Sequence, residues 1–245
     1  MKRYFQFKKK MISLIIPTMW RHEPFLDFFP RLLQIDCIND IVIINNDKSR
    51  FPDIDAFKDK KINVYTPESN LFVNPSWNLG ASLAKNDWMC FLSDDLNFDT
   101  RVFYEIRDFV QKDDDEIGMI GLLTPYLDES TYHKFFTDGE IDLVYCNEPD
   151  DEKRPNTTGI GNLFFIHKRD WKDIPSDLKI FHGEVLQWQR INKYKRNYVI
   201  TNCRAETPWH VTWHSLASDP NTDTEFQRIQ ISDQKLAESM NFTFD

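Results

Sequence analysis

The sequence predicts an α/β fold: a single domain with a mostly parallel central sheet flanked by helices, and a smaller mixed region towards the C-terminal half. Short β-rich runs alternate with helical segments through the first half of the chain, the pattern of strands linked by crossover helices. Those runs are continuously apolar rather than alternating, as expected of strands buried on both faces. A length of 245 residues, with 41% apolar and 14% aromatic content, suffices for one large core.

The elements follow in order. Strands are predicted at "ISLIIP" (12–17), "IVIIN" (41–45), "INVYT" (62–66) and "WMCFL" (88–92). Between them lie a helix in "PFLDFFPRLLQI", which the internal Pro30 should bend or delay, and one in "PSWNLGASLAKN", opened by proline and serine. "QKDDDEIG" reads as a solvated turn before the strand "IGMIGLL". Residues 126–158, including "EPDDEKRPNTTG", read as a long loop, and a loop of that length in a compact domain is often mobile or functional. A strand in "GNLFFIHK", a helix near "GEVLQWQRINKYK", a strand in "NYVIT" and a polar tail with a helix around "DQKLAES" complete the chain.

Composition narrows the partners. A net charge of −9 argues against broad nucleic-acid binding through an overall cationic surface, though a local basic groove stays open. Cys37, Cys90, Cys146 and Cys203 are widely spaced with no C-x-x-C pair, which suggests neither a zinc knuckle nor a disulfide framework and fits a reducing cytosol. The opening "MKRYFQFKKK" is basic, and the apolar run after it is cut by proline far short of the roughly 20 residues a membrane span needs. No transmembrane segment is expected, and the location is read as cytoplasmic, with a peripheral position at a membrane surface left open by the basic run. The sequons at Asn156 and Asn241 are coincidental without a secretory signal.

In open parallel sheets ligands bind beyond the carboxyl ends of the strands, and polar residues fall at those ends here. Pro17 and Thr18 follow the first strand, Asn46 and Asp47 the second, and Asp94 and Asp95 the fourth. One polar strand end is ordinary turn chemistry; three in register indicate a site. Adjacent Asp94 and Asp95 repel one another unless a cation or hydrogen-bond donors offset them.

Taken together, "SLIIPTMWR", "VIINND", "SWNLGASLAKNDWMCFLSDDL" and "GNLFFIHKRDW…FHGEVLQWQRINKYKRNYVI" resemble the GT-A (Rossmann-like) glycosyltransferases of family 2, over residues 11–215. In the middle block Asn78, Gly80, Ala84 and Asp94–Asp95 match the family position by position. The resemblance implies a nucleotide-sugar-binding half at 11–100, an acceptor-side half at 101–215 and a C-terminal tail at 216–245. It further implies a glycosyltransferase that moves a hexose or pentose from a nucleotide-diphosphate sugar to the hydroxyl of a glycan or other acceptor, with Mn²⁺ or Mg²⁺ as cofactor and inversion at the anomeric carbon.

Residue by residue, the resemblance makes Asp95 a metal ligand and turns Asp94 to the ribose or the metal, with Thr18 and Asp47 lining the nucleoside pocket. Asn78 reaches the nucleotide or fixes a loop, and Arg21, just after the first loop, contacts phosphate or is simply solvated. The general base is an acid at the start of a late helix; "HGEVLQWQRI" supplies Glu184, with valine where the family often has aspartate, and Asp177 is the substitute. Without the resemblance, Glu184 is a first-turn carboxylate favoured by the helix dipole. Trp188, one turn on, is either a platform for a sugar acceptor or core. Of the histidines in "PWHVTWHSLAS", His214 is the expected third metal ligand and His210 the reserve; His182 caps a turn.

Three other readings compete. Nucleotidyl transfer on the same fold needs a glycine-rich loop after the first strand, and "PTMWRHEPF" has no glycine. A non-catalytic GT-A binding module would not need Asp95 or Glu184 for turnover. A phage-type enzyme that glycosylates modified bases in DNA suits the compact length and the basic stretches "HKRDWK" and "NKYKRN", with Lys193 and Lys195 as phosphate contacts.

Overall fold

The computed structural model describes residues 9–112, 115–122, 141–146, 160–207 and 225–240. Ten strands and five α-helices run in the order β1 (Ile12–Thr18), α1 (Pro24–Leu33), β2 (Ile38–Asn45), β3 (Ile62–Tyr65), α2 (Val73–Leu83), β4 (Trp88–Leu92), β5 (Asn97–Phe98), α3 (Val102–Val110), β6 (Ile117–Leu122), β7 (Asp142–Tyr145), β8 (Leu163–His167), α4 (Gly183–Ile191), β9 (Arg196–Thr201), β10 (Ala205–Glu206) and α5 (Glu225–Ser239) among the described residues. The long loop expected at 126–158 falls mostly outside them, as do part of "QKDDDEIG", most of the N-terminal basic run, both sequons, His210 and His214.

Eight strands form one sheet in the order β3-β2-β1-β4-β8-β6-β9-β7. Strands β3, β2, β1 and β4 are parallel to one another, as is β6 to β9. β8 runs antiparallel to both β4 and β6, and β7 antiparallel to β9. The parallel half therefore ends at β4. Strand order reverses between β1 and β4, so a crevice opens beyond their carboxyl ends, where open α/β sheets bind ligands.

The core explains the apolar runs. Successive residues of β1 point to opposite faces: Ile12, Leu14 and Ile16 join a cluster under α1 and α3, while Ile15 joins a second cluster under α2 and α4. Both faces are covered, so no polar alternation survives. In α1 the buried Phe25, Phe28, Phe29 and Leu32 recur at helical spacing. That helix starts at Pro24 and continues through Pro30, which lies on the exposed face, so the expected delay does not occur. Helix α2 begins at Val73, two residues before the proline expected to open it. Gly80 lets this helix lie directly on β1, because a Cβ there would sit 2.3 Å from the Ile15 Cγ2. Helix α5 starts at Glu225, well before the predicted "DQKLAES".

Candidate active site

The crevice between β1 and β4 is closed by a hydrogen bond. Thr18, the last residue of β1, donates its hydroxyl to the Asp94 carboxylate (2.5 Å) and accepts the backbone N–H of Trp20 (2.9 Å). The Met19 backbone N–H also donates to Asp94. Trp20 adopts a left-handed backbone (φ 56°), uncommon for a bulky residue, and its indole N–H donates to Asn45 (2.8 Å) while its ring packs edge-on against Phe51 and Phe57. The left-handed turn at Trp20 is followed directly by the stretch that carries His22, whose charge acts on Asp95.

Asp94 and Asp95 occupy the turn after β4. Burial, reinforced by the Asp95 charge, pushes the Asp94 carboxyl up to about 7, opposed by the Thr18 hydroxyl. Burial also raises Asp95, opposed by the Ser93 hydroxyl, which donates to it at 2.5 Å, and by the charge of His22. His22 itself is lowered by burial, with Asp95 pulling the other way. Sequence reasoning passed over His22; the available signal was a titratable residue in the same post-β1 loop as Thr18 and Arg21.

Two carboxylates that burial and mutual repulsion drive towards neutrality form a site short of positive charge. Their hard oxygen donors suit Mg²⁺ or Mn²⁺. Among the described residues no group of three or more His, Cys, Asp or Glu side chains could hold a metal, so further oxygens would come from a ligand or water. Two carboxylates fit an open cation site that leaves coordination positions to other oxygens rather than a closed structural site.

A cleft of about 540 Å³ opens at the ends of β2 and β3, lined by Asn46–Ser49 and Thr66–Asn70, and Asn46 ties it to β1 by donating its backbone N–H to the Thr18 carbonyl (2.8 Å). Asp47 caps the short turn Lys48–Arg50, accepting both the Ser49 hydroxyl (2.6 Å) and N–H (3.0 Å); these bonds hold its carboxyl below the usual range, assisted by Arg50 and Arg21. Asn46 bridges the two walls. Its carbonyl oxygen accepts the Leu71 N–H (3.0 Å) and its amide donates to Ser76 on α2 (3.0 Å). Pro17 lies within β1, one residue before Thr18.

Glu184 lies in the first turn of α4. Burial pushes its carboxyl up to about 7. A Cβ on Gly161 would sit 3.1 Å from the Glu184 Oε1, and the carbonyl of the next residue, Asn162, accepts the Ser93 N–H (2.8 Å). One two-residue turn therefore touches the Glu184 carboxylate on one side and anchors the Asp94–Asp95 turn on the other. Asp177 lies exposed in the preceding turn.

The other sequence-predicted residues separate. Both polar atoms of the Asn78 side chain bond the backbone of Ile174, donating to its carbonyl (2.7 Å) and accepting its N–H (2.9 Å), so Asn78 fixes the segment before α4. Trp188 is core. Lys195 forms an ion pair with buried Asp170 (2.7 Å) and is itself largely buried, which removes it from the proposed phosphate contacts. His210 and His214 lie outside the described residues. No helix among the described residues is long and apolar enough to cross a membrane.

The sheet and its covering helices have the fold of GT-A glycosyltransferases, and solved structures share that fold. TarS of S. aureus (residues 1–349) superimposes with a TM-score of 0.61 at 13% identity, over 95% of this chain and 72% of that one. The same protein in complex with UDP-GlcNAc gives 0.60 at 11% identity, over 95% and 73%. GalNAc-T7 with UDP, GalNAc and Mn²⁺ gives 0.50 at 15% identity, over 80% of this chain and 42% of that one. No curated protein matches in sequence. The chain belongs to glycosyl transferase family 2, whose model matches residues 13–172 and so takes in Thr18, Asp47, Asn78, Asp94 and Asp95 but stops before Glu184.

Proposed function

We propose that the chain transfers a sugar from a nucleoside-diphosphate donor to an acceptor hydroxyl with inversion, using Asp95 and Asp94 to hold Mn²⁺ or Mg²⁺ and Glu184 as general base. The Gly161–Asn162 turn carries this reading, since it packs against a carboxyl raised to about 7 and ties down the turn that bears the metal candidates. A base with a pKa near 7 is matched to proton transfer at neutral pH. When bound, the cation supplies charge to the departing diphosphate. Thr18 orients Asp94, and the cleft at Asn46–Ser49 and Thr66–Asn70 accepts the nucleoside. Glu184 takes the acceptor proton as the hydroxyl oxygen bonds to the anomeric carbon and the bond to the diphosphate breaks on the opposite face. Direct displacement needs only this one base, and so inverts. UDP is the first donor nucleotide to try, because the TarS and GalNAc-T7 structures contain UDP or a UDP-sugar.

The test is release of nucleoside diphosphate from UDP-, GDP-, CDP- and dTDP-sugars, with Mn²⁺ or with EDTA, on wild type, Asp95→Ala and Glu184→Gln. Acceptors are water, small glycans and DNA carrying hydroxylated bases. Turnover of one donor that needs metal, Asp95 and Glu184 is the expected result; turnover that survives both substitutions would overturn the assignment.

A further inference from the structure

The C-terminal helix reaches back to the segment that presents Glu184. Asp233, in the middle of α5, is fully buried. Its carboxylate accepts three consecutive backbone N–H groups, those of Lys179 (2.9 Å), Ile180 (2.7 Å) and Phe181 (3.0 Å). The next residue on α5, Gln234, bonds the side chain of His182. From the opposite side, Asn74 on α2 donates its backbone N–H to the Lys179 carbonyl (2.9 Å) and its side-chain amide to the Phe181 carbonyl (3.1 Å). The Lys179 ammonium lies 4.7 Å over the ring of Phe72, which precedes α2.

These bonds converge on a backbone that does not hold its shape unaided. His182 has φ 64° and ψ 1°, a left-handed conformation unfavourable for a side chain without glycine's freedom, and it is the residue from which α4 starts. Gly183 then passes so close to Asn74 that a Cβ there would lie 2.0 Å from the Asn74 Oδ1, an atom that is buried and has no hydrogen-bond partner among the described residues. Glu184 follows at once. A residue that fixes three amides just upstream of a left-handed helix start fixes where the first turn of that helix points.

We infer that Asp233 is a positioning residue for the general base: through Lys179, Ile180 and Phe181 it sets the entry of α4 and hence the placement of the Glu184 carboxylate. This rests on Glu184 being the base. Asp233 lies beyond the residues matched by the family model, so the device belongs to the C-terminal part of this chain. It acts on the proton-transfer step and leaves the donor cleft alone, because none of its partners lines that cleft.

The experiment compares Asp233→Asn and Asn74→Ala with wild type and Glu184→Gln in the full chain, using the nucleotide sugar that wild type turns over. Asp233→Asn keeps one acceptor oxygen but places an amide against N–H groups. Asn74→Ala loosens the same loop from another helix and removes the unpartnered Oδ1, so one variant remains informative if the other fails to fold. Expected for each is a fall in kcat of about tenfold or more with the donor KM unchanged. Faster hydrogen exchange at the amides of 179–183 is expected alongside it. Asp233→Glu, which restores the carboxylate, should recover part of the lost kcat. Unchanged kcat in a folded variant, or unchanged exchange at those amides, overturns the positioning role. Full turnover in Glu184→Gln instead overturns the base assignment, which separates the two failures.

Discussion

Glu184→Gln gives opposite effects on activity and stability. The Glu184 carboxyl rises from 4.5 to about 7 because the protein buries it, with only its own backbone amide opposing. Below the ordinary carboxyl pKa the proton is held in folded and unfolded chains alike. Between 4.5 and about 7 the folded chain keeps a proton that the unfolded chain has released, so the side chain's contribution to stability declines as pH rises and is fully lost above about 7. A rise of this size corresponds to about 3 kcal/mol, of which the partial exposure of the side chain screens a share. Glutamine has the same shape and no charge to bury. In urea unfolding without nucleotide, the variant should therefore gain up to about 3 kcal/mol over wild type near pH 8 and gain little near pH 4. Turnover should fall by about 10²- to 10⁴-fold, and wild-type kcat should drop about tenfold per pH unit below about 7 as the base takes up its proton. A variant no more stable than wild type at alkaline pH, or one that retains turnover, would refute the reasoning.

Two further substitutions test neighbouring parts of the site. Asn78→Ala strips both hydrogen bonds from the buried Ile174 backbone and should cost about 1–3 kcal/mol by denaturant midpoint. If Asn78 only fixes that segment, UDP affinity by calorimetry stays unchanged; a loss of affinity in the folded variant would instead put Asn78 in contact with the nucleotide. Gly80→Ala forces a methyl group against Ile15 and should cost about 1–3 kcal/mol in thermal or urea unfolding, with α2 lifting off β1; a neutral result would show that the two elements part freely.

Much of this architecture was legible, and for physical reasons. β1, β2 and β4 read as strands because helices cover both sheet faces, leaving runs such as "WMCFL" with no polar residue, while β3, half-exposed at the sheet edge, reads as one from its β-branched and aromatic residues. The carboxyl-end rule then located Thr18, Asp94 and Asp95 on the same edge, and the structure joins Thr18 to Asp94 directly. What stayed hidden depends on contacts distant in sequence. The reversal of β8 against β4 is set by pairing across 70 residues of chain, as Leu92 with Leu163, which no local pattern encodes. The two-residue pairing of β5 with β10 is too short for any periodicity. The left-handed residues Trp20, Phe72 and His182 are bulky where glycine or asparagine would signal such a turn, so their conformations come from surrounding packing. In sequence Asp233 is only the first residue of "DQKLAES" in a polar tail; the fold brings it beneath the three amides ahead of Glu184.

If Asp95 and Asp94 hold a divalent cation against the donor's diphosphate, nucleotide binding depends on both the metal and Asp95. Calorimetric titration of UDP into wild type and Asp95→Ala, each with Mn²⁺ and with EDTA, measures it directly. Binding is expected to wild type with Mn²⁺, and none, or at least tenfold weaker binding by the order of magnitude of one charge-assisted contact, about 1.5–3 kcal/mol, when either the metal or Asp95 is removed. UDP binding of equal affinity in all four conditions would contradict it.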